Sequence, residues 1–487
     1  MTLVATLVIV IYSFCLAFIF CYSLVQLHLT WLYLTRTKQP LKPTIALQEW
    51  PTVTVQLPVY NERYVIERLL DAVTALEYPA EKLQIQILDD STDDTSNLIV
   101  EKLKALAYTG INIDHIRRSD RTGFKAGALQ HGLQTATGEY IAIFDADFTP
   151  FPDFLKQTIV AFTQPEIGVV QTRWGHLNRN YSLLTRLQAF GLDAHFTIEQ
   201  QGRNNGNYFI NFNGTAGVWR KTCIVDAGGW HADTLTEDLD LSYRAQLRGW
   251  QFVYQQHTET PAELPAAMSA LKSQQYRWTK GAAETARKHL KNVLTSSKTI
   301  VPKLHATFHL LNSGVFVCVL LTALLSVPIL YIKQAIPQLS WLYNLGVLLI
   351  GSMLSLTGFY WIASGVSGKR SIKHFIPDFL LFLSMSMGMA LHTSVAVLEG
   401  YLGRKTPFVR TPKYNIVQAQ DSWRKNRYTL PGIGLLSWVE GLLVLYFLWG
   451  IWLGWHFQDY GLLPFHSMLA LGFGLVFCYS IIHNRKA

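Results

Sequence analysis

The chain has 487 residues, longer than one ordinary domain, and carries a formal net charge of +9. Hydrophobic residues make up 49% of the sequence and charged residues only 15%, a composition too apolar for a purely soluble enzyme. The positive charge lies beside apolar segments and forms no single basic patch, so nucleic acid is not predicted as a partner. Part of the chain is therefore expected to lie in a membrane.

The N-terminal segment is almost continuously apolar from residue 2 to residue 35. It has neither a basic region before the apolar stretch nor a cleavage site of small residues, and Arg36 follows it. These features predict an uncleaved transmembrane helix over residues 1–36. Residues 37–280 are polar and mixed, and they are numerous enough for one globular domain.

The C-terminal part, residues 301–487, is predicted to be a transmembrane region, and the amphipathic, basic residues 281–300 before it predict a helix at the membrane interface. The positive-inside rule places the strongly basic loop 401–430 on the cytoplasmic side, together with the globular domain. Residues 375–400 would then be interfacial or re-entrant, which gives five spans, with six as the alternative. The apolar blocks after the globular domain are 305–332, 339–366, 375–400, 433–457 and 462–482.

In the globular segment, short β-rich runs alternate with helical patterns. This alternation predicts an α/β fold with a mainly parallel sheet covered by helices on both faces, and ligands bind such sheets beyond the carboxyl ends of the strands. Neither a Walker lysine motif nor a GxGxxG follows any of the strands, which disfavours a P-loop or dinucleotide fold. The predicted strands are 52–57, 83–88, 111–116 and 140–144, and the predicted helices are 62–76, 93–107 and 125–135.

Two carboxylates, Asp145 and Asp147, stand one residue apart where the fourth strand ends. Because side chains alternate along an extended run, both can point the same way. Two oxygen ligands on one side, with room for diphosphate oxygens and water, suit Mg²⁺ or Mn²⁺. The alternative is a pair of aspartates that cap a turn.

Three further motifs carry polar side chains that could act in binding or catalysis, but each motif also has an ordinary structural explanation. Asp89 and Asp90 follow the second strand and could accept hydrogen bonds from a base or ribose, or begin a helix. Asp238 opens a predicted helix over 238–248, where it could remove a proton from a hydroxyl or act only as a cap. The run QQYRW, residues 274–278, could meet a sugar chain or belong to a membrane-surface helix.

The order YNE, DD, KAG, DAD, FNGT, TED and QxxRW, followed by membrane segments, resembles family 2 of the inverting glycosyltransferases. Within it, the chain resembles the cellulose synthase superfamily, above all the cellulose synthase-like A and C proteins, which make mannan and glucan backbones, and their bacterial relatives. The resemblance covers residues 53–278 closely and the membrane part more loosely. It implies a GT-A-like, nucleotide-sugar-binding domain inserted between transmembrane helices of an integral membrane protein.

The resemblance also implies a donor site. Asp89 and Asp90 would contact the base and ribose of the nucleotide, and Lys125 and Arg277 would lie at its diphosphate. Asp145 and Asp147 would hold Mg²⁺ or Mn²⁺ together with that diphosphate.

On the acceptor side, the resemblance makes Asp238 the catalytic base. Six other residues would contact the acceptor: Asn213, Gly214, Thr215, Glu237, Gln274 and Trp278.

A last element implied by the resemblance is a cytoplasmic gating loop, which cellulose synthases carry in the form FxVTxK. The run PFVRTPK falls at the corresponding place, with Phe408, Thr411 and Lys413 as counterparts. The spacing differs, since Val409 directly follows Phe408.

The expected function is inverting transfer of a hexose from UDP-glucose or GDP-mannose to a growing β-linked glycan, with β-1,4 linkage and extrusion across the membrane. The catalytic domain would face the cytoplasm from the plasma (inner) membrane or an internal one. The alternative is transfer of a single sugar to a membrane lipid. A transporter or receptor with an inert domain is the third possibility.

Overall fold

The computed structural model describes residues 3–36, 49–106, 110–336, 346–368, 371–424, 426–428 and 433–484. A seven-stranded sheet has the order β3-β2-β1-β4-β6-β5-β7. Strand β1 pairs in parallel with β2 and β4, and the pairs β2–β3 and β5–β7 are also parallel, whereas β6 runs antiparallel to β4 and β5. The strands are β1 Val53–Val59, β2 Leu83–Asp89, β3 Asn112–Arg117, β4 Tyr140–Ile143, β5 Ile167–His176, β6 Gly217–Arg220 and β7 Gln251–Ala262.

The two faces of the central strands differ in chemistry. Val53, Val55 and Leu57 point into the main apolar core, while Thr54 and Gln56 point to the other face. There Thr54 Oγ1 donates to Gln84 Oε1 over 2.8 Å, and Gln56 Nε2 donates to Gln86 Oε1 over 3.0 Å. These hydrogen bonds pair most of the buried polar groups on this face, with Gln56 Oε1 left unpaired among the described residues, so the strands can be covered on both faces. Because β1, β2 and β4 run parallel, their carboxyl ends lie at the same edge of the sheet.

Helices follow the strands as the alternation predicts, and the mixed, mainly parallel α/β sheet is confirmed. The first predicted helix begins four residues late, because Asn61 has a left-handed backbone with φ of 54° and the chain turns at Glu62. Residue 107, the predicted end of the next helix, lies outside the described residues. The helices of this region are α2 Ile66–Thr74, α3 Thr95–Leu106, α4 Phe124–Thr135, α5 Phe154–Ile159, α6 Leu183–Ala194, α7 Gln200–Gly206, α8 Lys221–Asp226 and α9 Glu237–Leu247.

The next helix, α10 Met268–Thr295, crosses the predicted domain end at residue 280. The motif QQYRW therefore lies inside this helix and not before it, and the predicted interface segment 281–300 is not a separate helix. Gly281 in its middle lets the helix approach Thr236, since a Cβ there would stand 2.5 Å from Thr236 Cγ2. The predicted apolar block 305–332 corresponds to two helices, α11 Ile300–Leu310 and α12 Gly314–Ala335.

Five helices of the described residues are individually long and apolar enough to cross a membrane. Two more, α14 Ile372–Gly388 and α15 Ala390–Leu402, pass that test only as a pair, bent by 49°, as a broken span or a re-entrant loop. The pair covers the segment predicted to be interfacial, and the count is five or six. The five are α1 Leu3–Thr35, α12, α13 Gly346–Ala363, α16 Leu435–His456 and α17 Leu463–Asn484.

Candidate active site

Several of the predicted site residues meet at the carboxyl ends of β1, β2 and β4. Asp90 follows β2 and Asp145 follows β4, while Lys125 reaches the same place from α4 and Arg277 from α10. They border a cleft with an empty volume of about 590 Å³, including the solvent at its mouth. Both acidic and basic side chains line it, and four residues of loop 401–430, between Phe408 and Lys413, form part of its wall. The polar and aromatic lining residues include Tyr60, Glu62, Asp90, Arg121, Lys125, Asp145, Arg277, Phe408, Arg410, Thr411 and Lys413.

Asp145 is held in place from two sides. Its backbone N–H donates to Thr215 Oγ1 over 2.8 Å, and its Oδ1 lies 2.7 Å from Lys125 Nζ, which also donates to the Gly214 carbonyl over 2.9 Å. Burial opposes ionisation of this carboxyl, but Lys125 and Lys413 outweigh burial and lower the pKa of Asp145. Asp145 is therefore an ionised carboxylate that faces the cleft.

Asp147 Oδ1 contacts the ammonium group of Lys413, and this ion pair is buried. Lys413 thus brings a positive charge to the DxD pair from the loop. Two carboxylates at one strand end form the hard-oxygen donor set that Mg²⁺ or Mn²⁺ prefers, and the ammonium group contacts it where a cation would. The residues fit a divalent cation.

A second acidic group of the described residues consists of His231, Asp233 and Asp240, whose ligand atoms lie within 4.8 Å of one another. Asp240 already contacts Arg244 at 2.9 Å, and its other oxygen contacts Lys288 at 2.7 Å. Cationic side chains therefore neutralise this group, and the ion pairs stabilise α9.

Asp238 lies in the first turn of α9, beside Gly214, and the helix begins at Glu237, one residue before the predicted start. Gly214 has φ of +81°, and a Cβ at this position would stand 2.9 Å from Asp238 Oδ2 and 3.4 Å from Lys125 Nζ. Burial and the neighbouring carboxylate of Glu237 raise the pKa of Asp238 to about 7. Glu237 itself lies 3.7 Å from Lys125. A carboxyl that titrates near neutral pH suits a general base.

Asp89 and Asp90 lie in different environments. Asp89 is buried and accepts hydrogen bonds from Ser91 N–H at 2.8 Å, Ser96 Oγ at 2.6 Å and His115 Nε2 at 2.9 Å. Its carboxylate joins β2 to the neighbouring elements and does not line the cleft. Asp90 lines the cleft, and Arg118 Nε donates to its Oδ1 over 3.0 Å.

The FNGT residues lie between the sheet and α9. Thr215 is fully buried and supports the backbone of Asp145, as described. Asn213 Oδ1 accepts from Gln200 Nε2 at 3.1 Å and from Asn211 Nδ2 at 2.7 Å. Gly214 separates these two positions and provides the close approach to Asp238.

On α10, Arg277 turns toward the cleft, and its Nη2 donates to Thr411 Oγ1 over 2.9 Å. Gln274 and Trp278 are four residues apart, so they share one helix face. The Trp278 ring lies 6.3 Å from that of Trp174 on β5. The motif therefore contacts both loop 401–430, through Arg277, and strand β5, through Trp278.

The loop is docked on the cleft by several contacts. The Phe408 ring stacks on Phe124 at 5.2 Å, and the Arg277 guanidinium lies 4.8 Å from the Phe408 ring centre. Further along, the two carboxylate oxygens of Glu263 accept hydrogen bonds from the backbone N–H groups of Tyr414 and Asn415, each at 2.9 Å. All three predicted gating residues thus face the site.

Several lining residues were given no role from the sequence. Arg410 Nη1 lies 2.7 Å from the buried Glu62, and Arg121 stacks on the Tyr60 ring at 3.2 Å. Glu62 belongs to the motif YNE and Arg410 to PFVRTPK, so these two motifs could have indicated a role for them. Arg121 and Glu263 belong to no motif, and only the packing brings them here.

Residues 51–281 match the family model described as glycosyltransferase like family 2. Glucomannan 4-beta-mannosyltransferase 1 of Oryza sativa subsp. japonica is 37% identical over 388 residues, which is 76% of this chain and 71% of that protein. Glucomannan 4-beta-mannosyltransferase 9 of Arabidopsis thaliana is 35% identical over 407 residues, covering 80% and 73%. The Cyamopsis tetragonoloba glucomannan 4-beta-mannosyltransferase 1 is 34% identical over 453 residues, covering 88% and 82%.

Among solved structures, the chain is similar to a mannosyltransferase of Pyrobaculum calidifontis in complex with GDP-Man and Mn²⁺. The TM-score is 0.56, with 19% sequence identity, and the match covers 82% of this chain and all of that one. At this identity the likeness shows a shared fold, which confirms the predicted GT-A-like class.

Proposed function

Because the chain belongs to family 2 of the inverting glycosyltransferases, within the cellulose synthase superfamily, we propose that it transfers mannosyl units from GDP-mannose to a growing β-1,4-linked glycan. It is a hexosyltransferase. The relatives named as glucomannan 4-beta-mannosyltransferases support mannose as the sugar, since two of them match 80% and 88% of this chain. The observation that carries the proposal is that Asp145, Lys125 and Arg277 line one cleft. Asp147 reaches it through its contact with the lining residue Lys413, and Asp238 lies beside Gly214 and Lys125.

The acceptor reaction depends on Asp238. Its carboxylate lies against the backbone of Gly214, where it can take the proton of an acceptor hydroxyl as that oxygen attacks the anomeric carbon. A single displacement inverts an α-linked donor, so the product is β-linked. Lys125 and Arg277 stabilise the negative charge that develops on the leaving diphosphate.

A divalent cation, Mg²⁺ or Mn²⁺, would be held by Asp145 and Asp147. When bound, it supplies positive charge to the diphosphate oxygens. The carboxylate donor set and the ammonium group of Lys413 at Asp147 support this assignment.

The loop around Phe408, Thr411 and Lys413 is proposed to gate the donor site. Its contacts with Arg277, Phe124 and Asp147 support this role, because the same side chains close the cleft. Asp89 is proposed to support the donor site indirectly, through its hydrogen bonds with β3 and α3. Asp90 is proposed to contact the nucleotide itself.

The catalytic domain is proposed to face the cytoplasm. The basic loop 401–430 contacts the cleft and must lie on the same side of the membrane as the domain, and the positive-inside rule places such a loop in the cytoplasm. The plasma (inner) membrane or an internal one is the proposed location. Extrusion of the polymer through the membrane helices completes the proposal, since a simple anchor needs only one span.

A product assay tests the function. The purified protein in lipid nanodiscs would be given GDP-mannose or UDP-glucose with Mn²⁺, and nucleotide release and product length would be measured. We expect release of GDP and a polymer that endo-β-1,4-mannanase degrades, with neither product from Asp238→Asn. Release of UDP alone would contradict mannose as the sugar. A single-sugar glycolipid would contradict polymerisation.

A further inference from the structure

His195 lies beside the FNGT segment at a place where the helix changes its hydrogen-bond pattern. Helices α6 and α7 are continuous through a π-helical segment, His195–Glu199. Such segments are rare and frequently occur at functional sites. His195 Nδ1 lies 2.9 Å from Glu199 Oε2, and Arg203 Nη2 donates to Glu199 Oε1 over 2.9 Å. The buried Glu199–Arg203 pair therefore holds the imidazole ring in one orientation.

The other ring nitrogen, His195 Nε2, faces Asn213 Oδ1 at 3.4 Å. The Asn213 oxygen already accepts from Gln200 and Asn211, and these two donors fix the orientation of the amide. The Asn213 Nδ2 group is buried and has no hydrogen-bond partner among the described residues. A buried donor without a partner is costly, and an oxygen atom of a ligand would satisfy it.

The surroundings are also incomplete in hydrogen bonding. Gln200 Oε1 and Trp174 Nε1 are likewise buried without a partner in the part of the chain that the structure describes. Trp174 contacts Phe196, next to His195, at a ring distance of 4.8 Å, and its ring also lies 5.1 Å from Phe148 and 6.3 Å from Trp278. Polar atoms without partners and indole rings near His195 are suited to contact the hydroxyl groups and ring faces of a sugar chain.

We propose that His195 Nε2 and Asn213 Nδ2 together bind one hydroxyl group of the acceptor glycan, with Glu199 as the residue that positions His195. A hydroxyl can donate to Nε2, since Nδ1–H is engaged by Glu199, and can accept from the Asn213 amide. The side chain of His195 is 29% exposed, which leaves its ring accessible to such a group. The site lies next to Gly214, and thus beside Asp238, where the acceptor end must be.

This inference rests on the proposed function and concerns its acceptor. A site built to bond a hydroxyl strongly rejects the analogue without it, because its polar groups are left unpaired. The test uses mannan oligosaccharides that each lack one hydroxyl, together with whichever nucleotide sugar the wild-type protein turns over. The value of kcat/KM for each acceptor is compared between wild type and His195→Ala.

We expect one of the deoxygenated acceptors to lose at least tenfold in kcat/KM with wild type but no more than twofold with His195→Ala. His195→Gln, whose amide can still donate to Glu199 and accept from a hydroxyl, should recover part of that discrimination. Hydrolysis of the donor without acceptor should stay within twofold of wild type in both variants. The matched control is His257→Ala, at an exposed position of β7.

An equal penalty in wild type and His195→Ala would overturn the hydroxyl site and leave the proposed function intact. A fall in donor hydrolysis that parallels the fall in transfer would overturn it as well, since the defect would then lie outside acceptor binding. If wild type elongates no oligosaccharide with any nucleotide sugar, the proposed function itself fails.

Discussion

The ammonium group of Lys413 contacts Oδ1 of Asp147, so a side chain of the covering loop neutralises one of the two DxD carboxylates. Both side chains are mostly buried, with 17% and 11% of their surfaces exposed. A divalent cation held by Asp145 and Asp147 would lie close to the ammonium group of Lys413, and like charges repel at close range. Closure of the loop in this form and metal binding are therefore competing states.

Removing this charge should strengthen metal binding by the protein without donor. For Lys413→Met we expect the dissociation constant for Mn²⁺ to fall about tenfold, or about 1.4 kcal/mol. Titration followed by the electron paramagnetic resonance of free Mn²⁺ measures it. Lys405→Met, an exposed lysine of the same loop, is the control and should bind Mn²⁺ as wild type does. Equal affinity in Lys413→Met and wild type would argue against the competition.

A methyl group at Gly214 should block the reaction while the fold persists. In Gly214→Ala the new Cβ would stand 2.9 Å from Asp238 Oδ2, and the backbone would keep φ of +81°. Gly249→Ala is the matched control, because Gly249 has φ of +103° but has nothing within 4 Å of its Cβ position. Both variants should lose about 1–2 kcal/mol of stability from the left-handed backbone.

Only Gly214→Ala should lose transfer activity, by about 100-fold, since misplacing the reacting groups by about 1 Å has that effect. Thermal unfolding and nucleotide release distinguish the two consequences. Similar activity losses in both variants would mean that backbone strain, and not the contact with Asp238, is responsible.

Asp89 and Asp90 should respond differently to amide substitution. Burial opposes ionisation of Asp89, but hydrogen bonds from His115, Ser96 and Ser91 outweigh it and lower its pKa to about 2. Asp89→Asn should therefore destabilise the domain by about 2–4 kcal/mol at neutral pH while the folded enzyme keeps its donor KM. Because the folded pKa is lowered, the wild-type advantage should disappear as pH falls from about 4 to about 2.

In Asp90→Asn we expect the reverse, with stability near that of wild type and a donor KM raised about tenfold. Thermal melts across pH and donor saturation curves provide the comparison. A donor KM that rises equally in both variants would place Asp89 in the nucleotide site after all.

The sequence is most informative where function depends on local geometry. Asp145 and Asp147 follow β4 as predicted, but Phe148 N–H donates to the Asp145 carbonyl, so the pair lies in a turn and not in an extended run. Asp238 lies in the acidic first turn of α9, one residue after the helix begins. The partners of Asp89 come from β3 and α3, so its structural role depends on packing that periodicity does not encode. The bounds of α10 likewise depend on tertiary contacts, since the buried pair Lys272–Glu440 joins its first turns to α16.

The raised pKa of Asp238 predicts the pH dependence of catalysis. Only the ionised carboxylate can accept a proton, so kcat/KM for the donor should increase about tenfold per pH unit up to about pH 7 and level off above it. Glu237→Gln removes the neighbouring negative charge that helps to raise this pKa, and the midpoint of the profile should move to lower pH. A profile that keeps its midpoint in Glu237→Gln would exclude Asp238 as the titrating base.

The same carboxyl should reduce the stability of the folded protein at alkaline pH. Its pKa is about 7 when folded and about 4 when unfolded, so the folded state binds the proton more tightly, and stability decreases as pH rises from about 4 to 7. Asp238→Asn, which cannot ionise, should therefore exceed wild type by about 2–4 kcal/mol at pH 8 and match it near pH 4. Melting curves at the two pH values measure this difference. An Asp238→Asn protein that is inactive yet more stable than wild type only at high pH would show that catalysis requires a charge that the fold opposes.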